Sequence, residues 1–116
     1  MGSAMASNLV KAGVKVSGYD ITSDARKALA KAGGTAAKSV AEVVRRNPIV
    51  ITSLPTTAAV EAVAAEIAAA KPRDLVVVET STMPLETKER ARTILAKAGV
   101  TLLDCPLSGT GAQARV

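Results

Sequence analysis

The chemistry this chain can offer sits in a few short stretches, and the first of them opens it. Gly2 begins a helical pattern that runs from Ser3 to Ala12 and closes on Gly13. A short apolar run, Val14 to Gly18, follows and ends in Tyr19-Asp20. A glycine opening a helix, then a strand, then an acid about 20 residues on is the back half of a dinucleotide-binding fingerprint. In that pattern the glycine lets a pyrophosphate approach the helix N-terminus. The carboxylate accepts both ribose hydroxyls of adenosine. It also repels a 2′-phosphate, which favours NAD over NADP, although Arg26 and Lys27 on the next helix pull the other way. The purely local alternative makes Gly2 a helix cap and Asp20 a turn former bonded to its own backbone.

Three more stretches are small, polar or turn-forming: Ser53-Leu54-Pro55, Glu79-Thr80-Ser81-Thr82, and Asp104-Cys105-Pro106-Leu107-Ser108-Gly109. A hydroxyl beside a glycine with free N–H groups suits a carboxylate or carbonyl oxygen, which makes Ser108 and Gly109 candidates for an anionic ligand. Ordinary structural roles compete at each place. Ser81 and Thr82 read equally as caps for a helix at Pro84, and Ser108-Gly109 as a simple turn. Asp104 and Glu79 read as a cap and a surface charge, and Cys105 as a buried small apolar residue.

The elements that must position these stretches alternate along the chain. Ser23 reads as an N-cap for a second helix carrying Ala25, Ala28, Leu29 and Ala32, which Gly33-Gly34 stops. Ser39 with Glu42 has the capping-box spacing and opens Val40 to Arg46. Ile49 to Leu54 is β-branched and bounded by prolines, the pattern of a strand. An alanine-rich helix runs from about Thr57 to Ala70. Leu75 to Glu79 is continuous and apolar, as in parallel strands buried on both faces. Pro84 suits the first turn of the next helix, which ends at Ala98-Gly99. Val100 to Cys105 is the last strand, and residues 107–116 read as a loop with the start of another helix. Strand alternating with helix argues a parallel sheet covered by helices. In such sheets ligands bind beyond the carboxyl ends of the strands, where all four polar tips are expected to converge.

Composition narrows the function classes. The chain has 116 residues, enough for one domain and one core. With no His, a His-containing triad and the common His metal sites are excluded. The single Cys105 excludes an internal disulfide and suits a reducing compartment. The net charge of +5 is spread over several helices, and Tyr19 is the only aromatic residue, so no nucleic-acid partner is expected. No apolar run approaches the ~18 residues of a membrane span, and the N-terminus lacks a signal-peptide pattern. A soluble cytoplasmic protein is the expectation.

Taken in order, these stretches resemble the N-terminal domain of the β-hydroxyacid dehydrogenases, the family of 3-hydroxyisobutyrate and 6-phosphogluconate dehydrogenases. Met1-Gly2 followed by Met5-Ala6 and Asn8-Leu9 is similar to the end of the family's glycine-rich turn and its first helix. Ser53-Leu54-Pro55 resembles its Leu-Pro cofactor loop, and Ser81-Thr82 with Pro84 its Ser-Thr-x-x-Pro motif, the proline one place early. Asp104 to Gly109 resembles its substrate motif, with Thr110 in place of a second glycine. The resemblance implies a Rossmann-type doubly wound parallel α/β sheet. It implies cofactor contacts from Met1, Gly2, Asp20, Ser53, Leu54, Pro55 and Thr82, with NAD the expected cofactor and NADP possible. It assigns Ser108 and Gly109 to the carboxylate end of a small hydroxy-carboxylate substrate.

The family's opening strand and first glycines have no counterpart here, nor does the helix bearing its catalytic lysine, since Lys97 precedes the Ser108 motif. Residues 1–106 are therefore expected to be a partial dinucleotide-binding domain lacking its first, central strand. Residues 107–116 would begin the connection to a helical C-terminal domain through which the full protein forms homo-oligomers. Alone, the chain is expected to be inactive and poorly stable, with a slot ~10 Å wide, two strand spacings, between the strands at Val14 and Ile49. A non-catalytic nucleotide-binding module is the main alternative. A methyltransferase-like domain leaves Ser81-Thr82 and Ser108-Gly109 without a role, and a receiver domain lacks its acidic cluster.

Overall fold

The computed structural model describes residues 1–115 and contains two compact units, 1–39 with 108–115, and 40–107. In the first unit, α1 (Gly2–Lys11) leads into β1 (Ser17–Gly18), α2 (Ser23–Lys31) and β2 (Thr35–Ala36). β1 and β2 pair in parallel, with Thr35 N–H donating to Val16 O at 2.9 Å and Ala37 N–H to Gly18 O at 2.8 Å. The strand expected over Val14–Gly18 is thus shorter, because Val14 N–H is drawn back to Leu9 O at 3.0 Å in the helix end. Leu29 of α2 lies flat on this pair. A Cβ on Gly34 would sit 2.5 Å from Leu29 Cδ1, and one on Gly18 would sit 2.8 Å from Cδ2, so a larger residue at either position would push the leucine aside. Gly33 stops α2 at φ +104, a conformation other residues rarely adopt. α6 (Gly111–Ala114) closes the unit, tied to α1 by Asn8 Nδ2 donating to Ala114 O at 2.5 Å.

Ser23 is not the cap of α2. Thr22 occupies that position with extended backbone, and its hydroxyl donates to Asp20 Oδ1 at 3.0 Å instead of capping the helix.

The second unit runs α3 (Val40–Arg46), β3 (Ile49–Thr52), α4 (Thr57–Ala69), β4 (Val76–Glu79), α5 (Leu85–Lys97) and β5 (Thr101–Asp104). Its three strands are all parallel in the order β3-β4-β5. The described strands form two separate sheets. The core is built from Val44, Val50, Val60, Ala64, Ile67, Leu75, Val77, Ala91, Leu95 and Val100. Thr56 caps α4 by accepting from Ala59 N–H at 3.1 Å, satisfying one of the free N–H groups of the first turn. Arg90 of α5 donates from Nε to Glu61 Oε1 of α4 at 2.5 Å, and this hydrogen bond raises the guanidinium pKa.

Alternation along the strands sorts the residues by face. Val50, Val77 and Leu102 stand in one row on the helix-covered face. Ile49, Ile51 and Leu103 are on the other face and exposed, and Val76 and Val78 between them are half-buried. The expectation that Leu75–Glu79 is buried on both faces therefore holds on one face only, because α4 and α5 pack on that face.

Candidate functional site

In the first unit the structure places Met1 as the N-cap of α1 with no side-chain cap and no acid in the first turn. Helical geometry leaves the N–H groups of Gly2, Ser3 and Ala4 without intrahelical acceptors. A cationic helix end free of carboxylates is the arrangement a pyrophosphate needs, so this end fits the group the sequence pattern implies. Gly111 lies beside it, since a Cβ there would be 3.6 Å from the Met1 nitrogen.

Ser108 and Gly109 precede α6 and are exposed. Thr110 forms a complete capping box: its hydroxyl accepts from Gln113 N–H at 3.2 Å and its own N–H donates to Gln113 Oε1 at 2.7 Å. Thr110 in place of glycine thus starts a helix. The T-x-x-Q spacing carried that signal in the sequence. Gly109 has φ +106, and a Cβ on it would meet Gln113 Oε1 at 2.8 Å. Gly109→Ala is expected to cost about 1–3 kcal/mol locally through backbone strain and to open the capping box. Faster hydrogen exchange at the Gln113 amide checks it.

Asp20 is exposed at the end of β1 and makes the local turn that was its alternative reading. Its Oδ1 accepts from Thr22 N–H at 2.8 Å and from the Thr22 hydroxyl. Only Oδ1 is used in these bonds. Arg26 donates from Nη1 to the Asp20 carbonyl at 2.5 Å and stacks 5.7 Å from the Tyr19 ring centroid, so its charge is engaged by its own segment.

The second unit holds Ser53, Leu54, Pro55 and Thr82. Because β3, β4 and β5 are parallel and in register, the loops after them leave the sheet at one end. Ser53 and Leu54 are half-buried, and Pro55 and Thr82 are exposed there. Ser81 is buried and does not cap α5. Pro84 is the N-cap of that helix, without a side-chain cap bond, while the Ser81 hydroxyl accepts from Leu54 N–H at 2.7 Å. The Thr80 hydroxyl donates to the Thr52 carbonyl at 2.7 Å. The loops after β3 and β4 are thus stitched together by their own polar groups.

Beneath them lies a cluster that sequence reasoning missed. Glu79 is not a surface charge: it is 2% exposed. Its Oε1 accepts from Ser81 N–H at 2.7 Å, and its Oε2 accepts from the Thr52 hydroxyl. Lys88 of α5, 5% exposed, brings Nζ to 3.6 Å from Glu79 Oε1 and 2.7 Å from Asp104 Oδ1. Asp104 is bound by this lysine rather than acting as a cap. A signal existed, because Lys88 falls on the inward stripe of α5 with Ala91 and Leu95, and a charge on such a stripe needs a buried partner. Cys105 is half-buried, less enclosed than expected, because the core face ends at Glu79, whose carbonyl accepts the Cys105 N–H at 2.9 Å.

No helix among the described residues is long and apolar enough to cross a membrane. The family model for the NAD-binding domain of 6-phosphogluconate dehydrogenase matches residues 1–116. The mitochondrial 3-hydroxyisobutyrate dehydrogenase of Drosophila melanogaster is 34% identical over 110 residues, which are 94% of this chain and 34% of that enzyme. The NAD-dependent L-serine dehydrogenase of Pseudomonas aeruginosa is 33% identical over 118 residues, 98% of this chain and 39% of that protein. The solved structure of Mycobacterium tuberculosis 3-hydroxyisobutyrate dehydrogenase with L-serine superposes with a TM-score of 0.93 at 31% identity, covering 99% of this chain and 40% of that one. The chain therefore has a Rossmann-type α/β fold and belongs to the family of NAD-binding domains found in 6-phosphogluconate dehydrogenase and the related 3-hydroxyisobutyrate dehydrogenases.

Proposed function

We propose that the chain is the dinucleotide-binding part of an NAD-dependent dehydrogenase acting on a small 3-hydroxy acid, of the 3-hydroxyisobutyrate dehydrogenase type. The observation that carries this reading is the family match over the whole chain, joined to an α1 N-terminus that offers free N–H groups and no acid. In this reading Met1 and Gly2 lie against the pyrophosphate and Asp20 accepts from the adenosine ribose. Ser53, Leu54, Pro55 and Thr82 line the cofactor, and Ser108 and Gly109 hold the substrate's carboxylate. Bound NAD supplies the hydride acceptor. The chain spans 34% of the fly relative's length, so hydride transfer and homo-oligomer formation are proposed for the whole protein, with cytoplasm as its compartment. Residues 1–106 serve as the cofactor domain and 107–116 as the start of the connection to the remainder.

Titration with NADH and NADPH, followed by nicotinamide fluorescence, tests the reading. NADH is expected to bind more tightly than NADPH. Asp20→Ala is expected to weaken NADH about 10–100-fold, the scale of charge-assisted hydrogen bonds to the ribose. A clear preference of the parent chain for NADPH would remove the assignment of Asp20.

A further inference from the structure

We propose that Lys88 is a positioning residue for the loops after β3 and β4, acting through Glu79. What those loops bind rests on the dinucleotide reading above; the linkage itself does not. A buried lysine is a poor stabiliser, since desolvation offsets most of its attraction to a carboxylate, and a hydrocarbon of similar length would fill the same space. Its charge does what a hydrocarbon does not: it fixes where the Glu79 carboxylate points. With Nζ 3.6 Å from Oε1, that carboxylate presents Oε1 to Ser81 N–H at 2.7 Å and Oε2 to the Thr52 hydroxyl. Ser81, held by its N–H, turns its hydroxyl to Leu54 N–H at 2.7 Å. The relay therefore runs from α5 through β4 into both loops, with an ion pair as its first step and hydrogen bonds as the rest. Lys88 also donates to Asp104 Oδ1 at 2.7 Å, which anchors the ammonium at the end of β5. No buried side-chain nitrogen or oxygen among the described residues lacks a hydrogen-bond partner, so the polar groups of the network are satisfied within it.

The test uses the full 116-residue chain. Lys88→Met combined with Glu79→Gln removes both charges together, and Lys88→Arg keeps the cation. Amide hydrogen exchange is read at Ser81 and Leu54, with Val50 and Val77 as core references, beside an NADH titration. In the double variant exchange at Ser81 and Leu54 is expected to quicken about tenfold, the scale of one net hydrogen bond, with NADH weakened by a similar factor. Val50 and Val77 keep the parent's protection, and Lys88→Arg stays near the parent at all four. Unchanged exchange at Ser81 and Leu54 overturns the proposal whatever happens to NADH. Equal loss at Val50 and Val77, or a double variant that does not fold, assigns the pair to the fold as a whole and also overturns it. Ser81→Ala touches no buried charge and gives an independent arm: exchange at Leu54 must rise, and if it does not, the relay is broken at its last link. Should the parent fail to bind NADH, the dinucleotide reading falls, and the exchange pattern alone decides the role of Lys88.

Discussion

Lys88→Met, made with Glu79 left intact, is expected to destabilise the chain by about 3–5 kcal/mol. The lysine is 5% exposed, and the Glu79 carboxylate it faces is 2% exposed. Removing the ammonium strands a carboxylate where water cannot reach it, and the two hydrogen bonds from Ser81 N–H and the Thr52 hydroxyl do not compensate a whole charge. Against a typical total of roughly 5–15 kcal/mol the loss is large. Adding Glu79→Gln to the same background is expected to restore most of it, because no buried charge is then left without its counter-charge. Urea unfolding followed by circular dichroism measures both. A loss below about 1 kcal/mol for the single change would mean that Glu79 is wet or otherwise paired.

Leu95→Ala is expected to cost about 2–5 kcal/mol, in the upper part of that range. Leu95 is 1% exposed in the core between α4, α5 and the sheet. It lines a small cavity with Ala64, Ile67, Val77 and Ala91. Two of those neighbours are alanines, with no side-chain length to swing into the new space, so the void stays open and its lining loses dispersion contacts. The bonds from Ala98 and Val100 N–H to the Leu95 carbonyl are main-chain and survive the change, so the loss isolates packing. The unfolding midpoint should fall with an unchanged denaturant slope. A midpoint within error of the parent would show that the core repacks.

Much of the architecture could be read from residue order. Pro48 and Pro55 bracket a β-branched run, and the strand lies between them at Ile49–Thr52. The α4 bounds Thr57–Ala69 follow the alanine run up to the Lys71-Pro72 break. Caps were less legible, because a hydroxyl near a helix start has several possible partners. Thr22 serves Asp20 and Ser81 serves Leu54, and neither choice is visible without three dimensions. Burial of charge was the least legible. Glu79 at a strand end looks like any solvated acid until α5 lays Lys88 across it, and the two are nine positions apart in different elements. The candidate cofactor positions were nominated from short motifs whose order alone restricts the family. The network that supports them is made of single residues scattered over four elements.

The row Thr52–Glu79–Asp104 has a consequence for how the three strands line up. Ile49, Val50 and Ile51 are nearly interchangeable hydrocarbons, as are Val76, Val77 and Val78. Sliding β4 by one step would bury almost as much oil as before, so greasy side chains alone specify alignment weakly. The same slide would swing Glu79 to the face where Ile51 and Leu103 meet water and leave the Lys88 ammonium under α5 facing a valine. One charged tooth in an otherwise uniform comb thus keys the chain to a single meshing, and with it the height at which Leu54 and Thr82 emerge.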